Sequence, residues 1–347
     1  LKHQIIGYYM YNNIVLVADI FEHTEENINF NSTTLEKPSQ EYIDDVVRAL
    51  TIYSKQVFVC NSPKELNNYL VKNSVDFVMT IYGGEISRNR LALVPAICES
   101  MNVKFLGADV YNRIICQDKN LCKTFAKRFN ILSPNSILIY DENDISLIKS
   151  LKLPLVVKPN YEGSSIGISN KNIVNTFVKA ITLIKELLEI FKQPIIVEEF
   201  IGGQEVNITL VGDNKNINIF EVIEDIHIED INFFNNNLYT LEYKQLYCEK
   251  FSHKVITDKF DVETKNYIID MYRHMGKIDY LRVDGKILNN KFYLIELTPD
   301  PYCGRESSFS KAIMSNGYTY EESIGLLIQN CSKYYQTQYS NEIIRTL

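Results

Sequence analysis

Through the first hundred residues short β-rich runs alternate with amphipathic stretches, and this alternation limits the fold more than any other feature. Ile14 to Ala18, Gln56 to Cys60 and Asp76 to Ile81 read as strands, separated by helical spacing over Glu41 to Tyr53 and Pro63 to Lys72. Strands that recur with a helix between them pair in parallel, so the reading is an α/β unit with an open, mostly parallel sheet. A third helix over Leu91 to Met101 leads into another short strand, Val103 to Gly107. The insert from Glu22 to Gln40 is polar and aperiodic, and reads as a surface loop.

A second unit starts near Cys116. Asp118 can cap a helix with Leu121, Phe125 and Phe129 on one face, and Pro134 opens an extended segment. In Leu155-Val156-Val157-Lys158-Pro159 the proline biases Lys158 toward an extended backbone, so the lysine ends a strand. An amphipathic helix follows over Val174 to Phe191. A third unit begins with the strand Ile195 to Val197 and continues through strands Val206 to Val211 and Ile217 to Ile223. Next come an Asn-rich stretch, Ile231 to Asn237, read as a mobile loop, and a helix over Lys265 to Met275 stopped by Gly276. A hairpin joins Asp279 to Ile287 with Phe292 to Thr298.

Charge and cysteine usage exclude several classes. With 36 basic and 43 acidic residues the net charge is -7, and no long Lys/Arg run exists, so neither nucleic acid nor an anionic membrane is an expected partner. The seven cysteines form no C-x-x-C pair and suit free thiols in a reducing compartment. No histidine sits in H-E-x-x-H, no apolar run approaches the ~18 residues of a membrane span, and no signal peptide is evident; the expected address is cytoplasmic. The first residue is Leu1 rather than Met, so residues are expected ahead of it.

Three segments can carry chemistry. The loop Glu162-Gly163-Ser164-Ser165-Ile166-Gly167 matches neither familiar nucleotide fingerprint and reads equally as a plain hairpin turn or as a phosphate cradle, with Lys158 beside it as a cation. Glu198, Glu199 and Glu205 read as a solvated acidic surface or as acceptors for an adenine amino group and ribose hydroxyls. In the hairpin, a three-residue loop (Asn289, Asn290, Lys291) would set Asp284 opposite Glu296 and Arg282 opposite Thr298, all on one face. A two-residue loop would set the carboxylates on opposite faces. Side-by-side carboxylates repel unless a cation sits between them, and oxygen-only ligands suit Mg²⁺; the other reading is a surface face with balancing charges.

Taken in order, residues 153 to 167 (LPLVVKPNYEGSSIG), 197 to 205 (VEEFIGGQE), 282 to 285 (RVDG) and 293 to 299 (YLIELTP) resemble the D-alanine:D-alanine ligase branch of the ATP-grasp enzymes, with Asp118-Lys119 matching the start of its ATP-grasp region. The resemblance implies an ATP-grasp fold behind an N-terminal parallel α/β domain, divided as 1–115, 116–197 and 198–347. It implies an ATP-dependent carboxylate-amine ligase working through an acylphosphate. ATP and Mg²⁺, or Mn²⁺ in its place, would be the cofactors, amino acids or peptides the substrates, and a homodimer the assembly seen among relatives. By the same resemblance Lys119 and Lys158 would contact phosphates, and Ser164 and Ser165 would belong to the loop closing over them. Glu198, with backbone at Glu199 and Ile201, would read adenine, and Glu205 would hold the ribose. Asp284, Glu296 and Thr298 would bind metal, Arg282 would stabilise an oxyanion, and Ser307 would bind the second substrate's carboxylate.

The departures narrow that reading. Thr298 replaces the usual Asn ligand, Asp300 being a candidate substitute, and Pro301-Tyr302 replaces Pro-Gly. The Gly-Gly-x-Ser-x-Glu loop that grips the first D-alanine is missing, with Tyr8 to Asn13 in its place. The His-Gly segment appears as Tyr82-Gly83-Gly84-Glu85, and the Lys-Tyr lid motif as Tyr243-Lys244. The expected acyl substrate is therefore an amino acid or related acid other than D-alanine. The alternatives are a true D-alanine:D-alanine ligase with an altered first pocket and an inactive ATP-binding protein.

Overall fold

The computed structural model describes residues 10–20, 32–84 and 87–346. Tyr8, Tyr9, Glu85 and most of the Glu22 to Gln40 insert lie outside the described residues. At the N-terminus β1 (Ile14–Val17) is flanked in parallel by β2 (Val57–Cys60) and β3 (Phe77–Thr80), in the order β2-β1-β3, with α1 (Gln40–Thr51), α2 (Pro63–Leu70) and α3 (Leu93–Ser100) as crossovers. The sheet is covered on both faces: Ile14 and Leu16 pack toward α1, Val15 and Val17 toward α2 and α3. Ser39 and Ser62 cap α1 and α2 from their side-chain oxygens. The expected strand at Val103 to Gly107 is reduced to one parallel bridge, Phe105 to Val78, because Gly107, at φ 89°, turns the chain away.

After α4 (Val110–Gln117) and α5 (Lys119–Lys127) comes a second sheet, β4 (Ser136–Ile139), β5 (Leu155–Pro159), β6 (Ile173–Val174) and β7 (Ile195–Glu199), antiparallel in the order β4-β7-β5-β6. Its Leu155, Val157, Ile195 and Val197 pack against α6 (Phe177–Phe191). Val174, expected in that helix, lies in β6, and Thr176 caps the helix instead. β7 runs through the 197/198 division, and its pairing with β4 and β5 keeps all five residues in this sheet.

The third sheet is β8 (Gln204–Gly212), β9 (Ile217–His227), β10 (Phe251–Val255), β11 (Tyr280–Leu288) and β12 (Lys291–Thr298), antiparallel as β10-β9-β8-β11-β12. Between β9 and β11 lie α7 (Leu241–Leu246) and α8 (Val262–His274), and after β12 come α9 (Ser308–Met314) and α10 (Tyr320–Thr346). The stretch expected to be a mobile loop carries Phe233 and Phe234, which are buried with Phe251 beside Tyr239 and Tyr243. Two adjacent aromatics outweigh the surrounding asparagines. Helix α5 also departs from expectation: Leu121 is exposed, and the buried face is Lys119, Cys122, Lys123 and Ala126. The helix turns its lysines inward because carboxylates of two sheets meet there, as described next.

Candidate active site

Alternation in β5 and β7 prepares the first half of the site. Val156 pairs with Glu198 and Lys158 with Ile196, so Lys158 and Glu198 are diagonal neighbours on the face opposite α6. The Lys158 ammonium lies 2.8 Å from Glu198 Oε2, and Lys123 of α5 holds the other oxygen. Lys119 and Lys123 are one helical turn apart and so project together. Asn160, just after β5, fixes the helix start: its carbonyl accepts from Lys119 N at 3.2 Å, and its side chain bonds Asp118 at 2.8 Å. The Lys119 ammonium reaches Glu296 Oε2 at 3.3 Å and the Glu162 carbonyl.

The second half is the β11–β12 hairpin. The loop is two residues, Asn289 and Asn290, both at positive φ (50° and 59°), and Leu288 pairs with Lys291. A two-residue loop was expected to separate the carboxylates, yet Asp284 pairs with Glu296 and Arg282 with Thr298. A bulge reconciles the two: Gly285 pairs with Leu294, so Ile295 is an extra residue that shifts the register by one. Asp284 takes two hydrogen bonds from Arg282, at 2.7 and 2.9 Å, and one from Thr298 Oγ1 at 2.9 Å.

Charge follows geometry. Burial pushes the Glu198 carboxyl up, but the Lys123 and Lys158 charges outweigh it and bring the value down to about 2. Burial likewise raises the Glu296 carboxyl, and Lys119, Lys158, Lys244 and Arg282 bring it to about 2. Burial lowers the Lys123 ammonium, with Glu198 opposing, whereas for Lys158 the Glu198 charge overcomes burial and raises it. Three buried ammonium groups thus share the two carboxylates Glu198 and Glu296, a positive surplus that suits a polyanion.

The remaining expected residues divide. Ser164 and Ser165 sit at φ 50° and 62°. Ser165 Oγ donates to the Tyr239 carbonyl at 3.0 Å and accepts from the Lys244 ammonium at 3.0 Å, so the loop and the Tyr243-Lys244 segment meet. Glu205 is ion-paired to Lys286 at 2.5 Å. Glu199, half-buried, accepts from Asn135 and from the Lys152 amide, and its own amide donates to the Asn135 carbonyl; Ile201 is half-buried. Ser307 caps α9, accepting from Ser310 N at 3.0 Å. Asp300, considered as a substitute metal ligand, is ion-paired to buried Arg113. Tyr302 is 54% exposed and sets its ring against Tyr42 at a tilt of 59°, and the Tyr42 hydroxyl accepts from Cys303 N at 2.9 Å.

Two charged side chains beside the expected residues escaped the sequence reading. Lys123 was hidden by an apolar face drawn through Leu121, and the spacing Lys119-x-x-x-Lys123 was the available signal. Glu36, within the supposed surface loop, is ion-paired to Arg90, itself 2% exposed and also 3.2 Å from Glu162. Its carboxylate lies against Gly163, where an added Cβ would come within 2.1 Å of Glu36 Oε1. No signal in the insert marked it.

A parallel α/β unit followed by two antiparallel sheets that face each other across inward lysines defines an ATP-grasp ligase, an ATP-dependent enzyme that forms carbon–nitrogen bonds with release of ADP. The family described as D-ala D-ala ligase C-terminus matches residues 128–329, more than half of the chain, and the chain belongs to that family. A D-alanine–D-alanine ligase of Carboxydothermus hydrogenoformans is 27% identical over 294 residues, covering 81% of this chain and 89% of its own. Among solved structures, the Bacillus anthracis D-alanine–D-alanine ligase complexed with ATP superposes with a TM-score of 0.71 at 17% identity, covering 94% of this chain and 99% of that one. The VanG D-Ala:D-Ser ligase of Enterococcus faecalis gives 0.69 at 19%, covering 92% and 99%. Among the described residues no helix is long and apolar enough to cross a membrane.

Proposed function

We propose that the chain is an ATP- and Mg²⁺-dependent ligase that joins the carboxylate of an amino acid or related acid other than D-alanine to the amine of a second amino acid or peptide. The observation that carries the reading is the convergence of Lys119, Lys123 and Lys158 with Glu198 and Glu296 beside the Asp284/Arg282 pair. In this reading Lys119 and Lys158 bind phosphate oxygens, with Ser164 and Ser165 in the covering loop. Glu198 meets the adenine amino group through lone pairs not engaged by lysines, backbone at Glu199 and Ile201 flanks the base, and Glu205 meets the ribose.

Asp284, Glu296 and Thr298 are an oxygen-only set on one sheet face, which fits a hard divalent cation completed by phosphate oxygens. Bound there, Mg²⁺ would neutralise charge on the transferring phosphoryl group. Arg282 faces the oxyanion that develops when the amine attacks the acylphosphate, and Ser307 meets the second substrate's carboxylate. The division 1–115, 116–197 and 198–347 belongs to the same proposal, with its last boundary moved past the end of β7 at Glu199.

An acyl substrate other than D-alanine is supported by the missing Gly-Gly-x-Ser-x-Glu loop and by Tyr82-Gly83-Gly84-Glu85 standing in place of the His-Gly segment. A D-alanine–D-alanine ligase with a remodelled first pocket is the second reading, favoured by the names of the relatives. The test is phosphate release from Mg–ATP across a matrix of D- and L-amino acids and short peptides, with mass spectrometry of positive wells and Glu296→Gln as control. Release with D-alanine alone and a D-alanyl-D-alanine mass would replace the first reading by the second. ATP binding with no stimulated release from any pair would count against both.

A further inference from the structure

Lys123 touches three parts of the molecule with one nitrogen. It stands on α5, its ammonium holds one oxygen of Glu198 on β7, and it donates to the Ile295 carbonyl on β12 at 3.0 Å. Ile295 is the extra residue of the bulge, so this carbonyl marks the place where the register shifts to set Glu296 beside Asp284. The other oxygen of Glu198 holds Lys158. The side chain of Lys123 is 5% exposed and that of Glu198 3%, so water does not compete for these contacts. Charge-assisted bonds in such a setting fix position strongly.

We propose that Lys123 is a positioning residue that sets the phosphate-binding lysine and the metal-binding carboxylate from one group. Through Glu198 it aims Lys158, and through the Ile295 carbonyl it holds the bulge that aligns Glu296 with Asp284. This rests on the reading of Lys158 and Glu296 given above. It also accounts for a lysine on the inward face of α5, where a leucine would pack as well against the neighbouring Cys122 and Ala126 but could bridge neither sheet. Lowering of the Lys123 ammonium by burial marks what its desolvation costs, and Glu198 offsets it.

The test is nucleotide binding by the full chain, titrated with ATP in the presence and absence of Mg²⁺ and without any acyl substrate. Lys123→Gln is expected to weaken ATP binding in the absence of Mg²⁺ and to raise the Mg²⁺ concentration for half-saturation, each by about 10- to 100-fold, the range found when partners behind metal ligands are removed. Lys123→Arg, which keeps the charge, is expected to recover most of the loss in Mg-free affinity. A residue that only supports the fold would lower the melting temperature while leaving both constants of the folded protein unchanged, and that result would overturn the proposal. So would a shift in only one of the two constants, since the link between the two halves is what is proposed. If Lys123→Gln does not fold, Lys123→Arg is read against wild type: the longer side chain and planar fork move the donors away from the point where the ammonium meets both Glu198 and the Ile295 carbonyl, so the Mg²⁺ requirement must rise, and an unchanged requirement overturns the proposal. Wild-type protein that binds no Mg–ATP would bring down the nucleotide-site reading itself, whereas wild-type binding matched by the variants would bring down this inference alone.

Discussion

Glu198 shows how the site can hold ionised groups away from water. A buried carboxylate is driven toward its protonated form unless paired, and two ammonium groups turn that balance toward the ionised form. Its folded value of about 2 lies below the ordinary 4.5. The ionised group therefore stabilises the fold at and above about pH 4.5, and that contribution is lost as the pH falls toward 2. Glu296 titrates over the same window. Melting temperatures measured between pH 6 and the acid limit should fall steeply in the wild type below about pH 4.5. Glu198→Gln should lower the melting temperature at neutral pH, because Lys123 and Lys158 lose their shared partner, and should flatten the acid slope without removing the part due to Glu296. An acid slope identical in the two proteins would contradict the pairing described here.

At the scale of elements, the hairpin separates what could be read in the chain from what could not. The two strands were legible because alternation is a local signal, whereas the sharing of a face by Arg282, Asp284, Glu296 and Thr298 was tied to a three-residue loop and comes about through the bulge instead. Of the two loop lengths left open, the two-residue one forms. Asn289 and Asn290 make the turn, and the bulge at Ile295 restores the register; nothing in the run Tyr-Leu-Ile-Glu-Leu marks a bulge, which depends on the neighbouring strand and on Lys123. Helix α5 forms with its Asp118 cap and packs Phe125 on the core as expected, but its inward lysines were missed for a related reason, since apolar periodicity assumes that a buried face is greasy. The long helix α10 was not foreseen, and Phe233 and Phe234 were masked by the asparagines around them. The turn itself can be tested. At Asn290, φ 59° suits Asn or Gly but not a β-branched residue. Asn290→Val should cost about 1–2 kcal/mol, seen as a lower melting temperature, while Asn290→Gly should be neutral or stabilising. Equal melting temperatures for the two variants would argue against the left-handed turn.

Across the whole molecule the units are not separate bodies. Helix α10 closes the chain's last sheet region, yet its Tyr320, Ile324, Leu327, Ile328 and Cys331 share one core with Ile14 and Leu16 of β1 and Ile43, Val46 and Leu50 of α1. Tyr53 donates its hydroxyl to the Glu321 carbonyl at 3.1 Å, and Gly325 lies against the Tyr53 ring, where an added Cβ would meet the hydroxyl at 2.3 Å. Asp279, just before β11, accepts from the Gly107 amide at 2.9 Å and from Lys277 at 2.6 Å, a second tie between the N-terminal unit and the third sheet. Arg90, Glu36 and Glu162 add a third, joining the N-terminal unit to the Gly/Ser loop. A core shared in this way transmits a local loss to distant strands, so cutting Leu327 back should destabilise more than its own helix. Leu327 is fully buried, and Leu327→Ala should cost about 2–5 kcal/mol through lost transfer energy and an unfilled cavity. Because Val211, Ile219 and Tyr280 of the third sheet belong to the same core, hydrogen exchange governed by global opening should quicken together in β1, β8 and β11. Faster exchange confined to α10 and β1, with β8 and β11 unchanged, would mean that the N-terminal unit opens on its own and that the ties through Asp279 and Arg90 do not couple it to the rest.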